Sequence, residues 1–293
     1  MTQTRPERCP AGQVFPTLVG AGVPSLTGGG RVVSAHSSAV NVLHSRGLLV
    51  SFVQETRAMT TLSVCVPALF RKPPGKLSPG EWVLFDGHRM VAKDVAVVLL
   101  GRPTWQGKLL RAHVKGLSAW KLSLLKRALL IKARDGGLLG LLRTDQRGNP
   151  FVEKARQGLR HTTLSSLVGL GPGSTPSGDD FITGVLLGEE ALKQGPAAGA
   201  KAVAENQKTV IPWPLEKEAL GAALNRTNDA GKTLLWQALQ GNFPGYLIEM
   251  LRSLSAAEGP EDVARVVERS VSCGETSGAD ALTGFLLFLQ GRL

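Results

Sequence analysis

The sequence predicts an α+β protein, with a β-rich N-terminal half (antiparallel sheet or small barrel) followed by a mostly helical C-terminal half. Three observations carry this expectation. Short runs rich in Val, Leu and Phe, punctuated by Gly and Pro, fill residues 31–100. Near residue 107 the apolar spacing changes to steps of three and four. A motif with helical spacing occurs twice, at 177–187 and 277–287, both times in the second half. The expected division is a β-rich domain over 1–110 and a mainly helical domain over 111–293.

In chain order, Arg31-Val-Val-Ser-Ala and Gly47-Leu-Leu-Val-Ser-Phe-Val read as strands. Leu62-Ser-Val-Cys-Val, Trp82-Val-Leu-Phe, Met90-Val-Ala and Val95-Ala-Val-Val-Leu-Leu continue the pattern. Lys72-Pro-Pro-Gly and Leu77-Ser-Pro-Gly are turns between them. Leu117, Trp120, Leu124, Ala128 and Ile131 then recur at helical steps, predicting an amphipathic helix that packs on this stripe. Lys121, Lys126, Arg127 and Lys132 fall on the rest of its surface, and Asp135-Gly-Gly stops it. Helices are expected at 151–167, 178–194, 215–240, 244–256, 260–271 and 278–290. Gly195-Pro-Ala-Ala-Gly-Ala is a linker, and Pro212-Trp-Pro opens the section after it.

Composition narrows the class. The 293 residues are 43% apolar, ordinary for a soluble globular protein, and no run approaches the roughly 18–20 apolar residues of a membrane span. The opening residues lack the apolar core of a secretory signal. Cys9, Cys65 and Cys273 are far apart, which argues against a disulfide framework or zinc site and for a reducing cytoplasm. His36, His44, His88, His113 and His161 show no metal-ligand spacing. The net charge of +11 is unevenly placed: residues 1–150 carry 21 Lys and Arg against 7 acids, and residues 151–293 carry 13 against 16. The excess peaks over 102–134, with nine bases and no acid. Such a field suits an acidic protein partner or a small anion, or it is a solvated face. Sparse aromatics and the lack of a binding module argue against nucleic acid.

The repeat is the main signal. Ser177, Gly178, Asp180, Thr183, Gly184, Leu186 and Leu187 match Ser277, Gly278, Asp280, Thr283, Gly284, Leu286 and Leu287. Capping explains part of it. Ser177 with Asp180, and Ser277 with Asp280, fit capping boxes in which the serine oxygen accepts a first-turn N–H. Capping does not require Thr183, Thr283, Gly184 or Gly284, and a mid-helix glycine costs about 1 kcal/mol relative to alanine. Close helix crossing or a ligand against the backbone would offset that cost.

Copy one also follows a glycine-rich loop, Gly169-Leu-Gly-Pro-Gly-Ser-Thr-Pro, and carries a second acid, Asp179. A loop feeding a helix start can aim N–H groups at a phosphate, which makes Gly171, Gly173, Ser174, Thr175, Ser177 and Gly178, with Ser277 and Gly278, candidate anion ligands. Asp179, Asp180 and Asp280 are the candidate catalytic residues, and Asp179 with Asp180 could bridge Mg²⁺ or act as a general base. The loop is not a Rossmann fingerprint, since Pro176 interrupts it. Gly231-Lys-Thr is not a P-loop, since Arg226 stands where the upstream glycine is required.

The run 169–184 resembles the signature of a domain-of-unknown-function family typified by the AllH-type subunit of oxamate carbamoyltransferase, of anaerobic allantoin breakdown and hence purine degradation. Ser174 stands where that pattern usually has leucine. Residues 276–284 resemble the family's second block, residues 35–41 its N-terminal block, and 234–241 show weaker similarity. The resemblance implies a cytoplasmic protein acting beside partner subunits, and transfer of a carbamoyl group between carbamoyl phosphate and oxamate.

Two other readings stand beside it. One is a ribokinase-like phosphotransferase, in which Asp280 is the base at a C-terminal anion hole. The other is a non-catalytic scaffold, in which Gly184 packs against Gly284 and the chain joins partner subunits or a second copy. His36, His161, Asn225, Arg226, Thr227, Trp213 and Cys273 have bland readings as surface or packing residues that outweigh functional ones.

Overall fold

The computed structural model describes residues 12–71, 77–93, 95–143, 149–160, 163–194 and 217–291. The turn at 72–75, the linker at 195–200, the segment around Trp213, and His161 all lie outside these. The chain forms two compact units, residues 1–107 and 108–293.

The first unit is one open ten-stranded sheet. Its strands are β1 (Gly12–Val14), β2 (Leu18–Gly20), β3 (Thr27–Ala35), β4 (Ala39–His44), β5 (Leu49–Val53), β6 (Ser63–Cys65), β7 (Trp82–Asp86), β8 (Arg89–Ala92), β9 (Val95–Val98) and β10 (Thr104–Trp105). A short helix, α1 (Ala68–Arg71), follows β6. The order is β1-β9-β8-β7-β3-β4-β5-β6-β2-β10. The sheet is mixed rather than purely antiparallel. β1 with β9, β5 with β6, and β2 with β10 run parallel: β5 and β6 are joined by a nine-residue crossover and not a tight hairpin, and the other two pairs bring together strands far apart in sequence. Alternation decides the faces: in β4, Val40, Val42 and His44 are buried, and in β7, Val83 and Phe85 are buried between exposed neighbours. The expected N-terminal block at 35–41 is the β3–β4 hairpin, closed by the His36 N–H donating to the Ala39 carbonyl at 2.7 Å.

The second unit is helical: α2 (Ala119–Lys132), α3 (Pro150–Arg160), α4 (Ser177–Lys193), α5 (Lys217–Ala223), α6 (Asp229–Leu239), α7 (Gly245–Ala256), α8 (Pro260–Val271) and α9 (Ser277–Leu289). The helix expected over 151–167 stops at Arg160, and a 3₁₀ turn at Leu164–Leu167 follows. The helix expected over 215–240 is two, because the chain breaks between Ala223 and Asp229 and Asn228 caps α6 through the Gly231 N–H at 2.9 Å.

The packing face of α2 is a correction. Leu122, Leu125 and Leu129 are buried against the unit, while Trp120 and Ile131 face outward. Two apolar stripes share this helix, and periodicity alone cannot choose between them. Burial of the leucine stripe also draws in Lys121, whose Nζ donates to the Ser255 carbonyl at 2.6 Å near the end of α7. α4 and α9 are buried on nearly every side, which makes them the centre of the unit.

Candidate functional site

The two copies of the repeat are the starts of α4 and α9, and the structure brings them together. Thr175 Oγ1 lies 3.1 Å from Ser277 Oγ, and Ser177 Oγ lies 3.5 Å from Thr276 Oγ1. Further along, Gly184 meets Ala281, Gly284 meets Phe181, and Gly188 meets Phe288. The starts meet at Thr175–Ser277 and Ser177–Thr276, and Gly188 meets Phe288 further along, so α4 and α9 run parallel with their first turns side by side and the two glycine contacts reciprocal.

Packing accounts for the repeated mid-helix residues. A Cβ on Gly184 would collide with the backbone carbonyl of Ala281, and one on Gly284 with that of Phe181. Only glycine permits this crossing, and the gain in interhelical packing offsets its poor helix propensity. Thr183 Oγ1 donates to the Asp179 carbonyl at 2.8 Å, and Thr283 Oγ1 to the Ala279 carbonyl at 2.7 Å, so each hydroxyl is satisfied within its own buried helix.

The capping box is a second correction. Ser177 and Ser277 are the first residues of their helices, the preceding caps are Pro176 and Thr276, and no side chain caps either start. The serines serve the opposite copy instead. The Ser277 hydroxyl bonds the Asp180 carboxyl, and the Ser177 hydroxyl stands beside Asp280. The first-turn N–H groups close inward: Gly178 donates to the Leu170 carbonyl at 2.8 Å, and Gly278 to the Cys273 carbonyl at 3.1 Å. Asp179 and Asp180 both donate to the Pro176 carbonyl, at 2.9 and 3.2 Å.

The three aspartates occupy different environments. Asp179 is buried, with Oδ1 accepting the Gly169 N–H at 2.8 Å and Oδ2 accepting the Thr227 hydroxyl. It ties the glycine loop to the segment before α6. Burial raises its pKa, against the pull of those two donors. Asp180 Oδ2 accepts the Thr175 hydroxyl at 2.9 Å. Burial pushes Asp180 up to about 8; Ser277 and Thr175 oppose the rise, and the Asp280 and Asp179 charges add to it. Asp280 Oδ1 accepts the Leu138 N–H at 2.6 Å, whereas its buried Oδ2 has the Ser177 and Thr276 hydroxyls nearby but neither in hydrogen-bonding geometry. Burial pushes Asp280 up to about 6, and the Leu138 N–H, with the Ser177 and Thr276 hydroxyls, limits the rise.

This distribution has a simple electrostatic sense. Each helix start carries roughly +0.5 of a charge, so two adjacent starts favour about one negative charge between them. Burial raises both carboxyls, and Asp180 rises further than Asp280, as expected when two carboxyls share a desolvated site.

Asp179 and Asp180 turn to different partners, all of them N–H or hydroxyl donors. That surrounding suits carboxyl groups and not a shared Mg²⁺, so no step is routed through a metal. Among the described residues, no group of three or more His, Cys, Asp or Glu is placed to hold an ion.

In the loop, Gly169, Gly171 and Gly173 all take positive φ. Gly173 and Ser174 are exposed at its rim, Gly171 and Thr175 are half-buried, and Ser177, Gly178 and Gly278 are buried. Ser277, half-buried, faces Thr175.

Three participants escape a reading by motif. Tyr246, half-buried in the first turn of α7, lies within electrostatic reach of Asp180, Cys273 and Asp280, and desolvation together with those groups raises its pKa well above that of an ordinary phenol. It is the only tyrosine of the chain, yet nothing local marks it. Leu138 contributes only its backbone N–H, delivered by the Asp135-Gly-Gly turn. A Cβ on Gly137 would collide with the Asp280 carboxylate, so this glycine is what lets the turn approach. Thr227 was one of three adjacent candidates, and it reaches Asp179, while Arg226 Nη1 donates to the Ser165 carbonyl at 3.2 Å.

Residues 167–289 match the family model described as oxamate carbamoyltransferase subunit AllH. The match contains both motifs, the glycine loop, Thr227 and Tyr246, and the resemblance read from 169–184 and 276–284 holds over it. The block at 35–41 lies outside it. No solved structure matches the chain.

Proposed function

We propose that this chain, AllH-like over residues 167–289, is a subunit of a carbamoyltransferase and holds a carbamoyl-bearing substrate at the paired Asp180–Asp280 site. One observation carries this reading: two buried carboxyls stand at the paired helix starts, Asp180 accepting the Thr175 hydroxyl and Asp280 held by the Leu138 N–H with its Oδ2 unpartnered, and burial raises the pKa of both, Asp180 the further. An amide end presents an N–H donor beside a carbonyl acceptor, and Asp280 Oδ2 beside the Asp180 hydroxyl is its complement. The charged end of the substrate sits toward the Gly173–Ser174 rim, within reach of the Thr175, Ser177 and Ser277 hydroxyls.

In the transfer, the acceptor's amide nitrogen attacks the carbamoyl carbon of a carbamoyl phosphate. The new C–N bond forms as the C–O bond to phosphate breaks, and the phosphate leaves with that electron pair. Asp280 takes the proton from the attacking nitrogen. Asp180 and Tyr246, kept neutral, donate hydrogen bonds to the carbamoyl oxygen as it gains negative charge. Asp179 acts at one remove, holding the loop in place. The same reading puts the protein in the cytoplasm beside sister subunits, in breakdown of a purine-derived ureide.

The test is calorimetric binding of carbamoyl phosphate and oxamate to the chain, together with transfer activity of the complex it forms. Asp280→Asn and Asp180→Asn should each lower transfer at least ~100-fold while the chain stays folded. Absence of binding at millimolar ligand, with full complex activity in Asp180→Asn, would sink the proposal. That outcome would favour a framework role, for which the interlocked Gly184 and Gly284 crossing and the inward-turned first-turn N–H groups speak. Activity would then depend on Gly184 and not on Asp180.

A further inference from the structure

Helix α2 has a second apolar face that its own unit does not use. Successive helical residues are about 100° apart, so Trp120, Leu124, Arg127 and Ile131 fall in one narrow sector, opposite the buried Leu122, Leu125 and Leu129. Trp120 is 46% exposed and Ile131 is 69% exposed. The outward Trp and Ile lie at helical spacing on a helix already anchored by a full leucine stripe, and together they form an apolar strip that this unit does not cover.

The helix and the segment before it carry bases only, and the acids near them, Glu268 and Glu258, lie on the flank of Lys132 and Lys121 and not beside Arg127 or Arg134 in sequence. Residues 108–134 contain eight Lys and Arg and no Asp or Glu. Arg127 lies on the stripe and Arg134 just beyond its end, both exposed. On the other flank, the Lys121 ammonium sits 5.5 Å from the Trp120 ring centre, and Lys132 pairs with Glu268 at 2.6 Å. A surface with an apolar centre and a basic rim fits a partner with the opposite pattern.

We infer that the outer face of α2 is a docking surface for an acidic amphipathic helix of a partner protein. Apolar side chains of that helix at i, i+7 and i+11 pack along Trp120, Leu124 and Ile131, whose ends are about 16 Å apart at about 1.5 Å per residue, and its flanking carboxylates meet Arg127 and Arg134. Nucleic acid is disfavoured, because the centre of the surface is aliphatic apart from one aromatic ring and offers no stacking platform. A membrane is disfavoured because only two large apolar side chains project, too few for stable interfacial insertion of a helix whose other face is committed to the core. This inference is independent of the Asp180–Asp280 site.

The probe is a labelled 21-residue helical peptide with Leu at i, i+4, i+7 and i+11 and Glu on both flanks, titrated into the full chain by fluorescence anisotropy. Saturable binding is expected, weakened by salt, and reduced at least tenfold by either Trp120→Ala or Arg127→Glu. Both residues are exposed, so both variants should unfold at the wild-type temperature. Equal binding of a scrambled peptide of the same composition, or no loss in either variant, would overturn the inference. So would tighter binding to duplex DNA or anionic vesicles than to the peptide. A self-associating wild-type chain that becomes monomeric in Trp120→Ala would assign the face to a second copy instead, and overturn it too.

Discussion

Gly184 and Ala281 approach so closely that a single methyl group on the glycine would overlap the alanine carbonyl oxygen. Mutation to alanine in a helix interior ordinarily stabilises by up to about 1 kcal/mol. Here the obstacle is backbone, which cannot rotate aside, and overpacking of this kind costs about 1–3 kcal/mol or more. Gly184→Ala and Gly284→Ala should therefore each lower stability by at least ~2 kcal/mol in urea unfolding. Unchanged or raised stability in both would contradict the crossing.

Asp180 carries the clearest pH signature. Its folded pKa of about 8 lies above the ordinary carboxyl value, so the folded state holds a proton that the unfolded chain releases. The sign follows: stability falls as pH rises from about 4 to about 8, and Asp280 adds to the fall up to about 6. Asp180→Asn removes the ionisation, so the variant should exceed the wild type at pH 8 by a few kcal/mol, roughly, with little difference at pH 4. Thermal melts across that range measure it, and a wild type whose stability is flat with pH would refute the assignment.

Thr227 tests whether Asp179 is a structural tie. Thr227→Val leaves one buried carboxylate oxygen without its donor, at a cost of about 1–3 kcal/mol. Thr227→Ser keeps the hydroxyl and should restore most of it. The loop should loosen in the valine variant, read as faster amide exchange at Gly169, whose N–H bonds the other oxygen of Asp179. Equal stability of the two variants would remove Asp179 from this role.

Tyr246 separates chemistry from packing. Tyr246→Phe keeps the ring and removes only the hydroxyl, which lies within electrostatic reach of Asp180 and Asp280. Transfer activity should fall ~10-fold or more with little change in melting temperature, as for loss of one donor to developing charge. Full activity would make the tyrosine a packing residue.

In the sheet unit, His44 is buried edge-on against Phe85, their ring centres 4.9 Å apart, and its Nδ1 accepts the Arg46 N–H at 3.1 Å. Burial lowers its pKa below 6.5, outweighing the bond to the Thr27 backbone. The neutral form is the folded one, so its contribution is complete above about pH 6.5 and is lost as pH falls through the lowered value. His44→Gln should show a shallower loss of stability between pH 7 and 5 than the wild type, in equilibrium unfolding at each pH.

Much of the architecture was legible because its causes are local. Alternation in β4 and β7 reports which side chains face the sheet's core, since neighbours in a strand point to opposite faces. The repeat at 177 and 277 marks two helix starts, and its mid-helix glycines are consistent with either a close crossing or a ligand against the backbone; the crossing is what the fold contains. The division of α2 into two apolar stripes was not legible, because both stripes have helical spacing and only the shape of the unit selects Leu122, Leu125 and Leu129. Nor was the exchange of partners between the motifs. A serine three residues before an aspartate suits a local cap equally well, and the choice depends on a helix a hundred residues away.

The sequence alone therefore determined the helix starts, the strand faces, the glycine loop and the acidic residues, all of which depend on neighbours within a turn or a pleat. Tertiary structure decided what the acids are. It brought Ser277 to Asp180, Leu138 and Ser177 to Asp280, Thr227 to Asp179 and Tyr246 near the pair, and by burying two carboxyls between adjacent helix starts it raised the pKa of both. Desolvation and long-range hydrogen bonding arise only when distant segments meet, and no spacing along the chain encodes them.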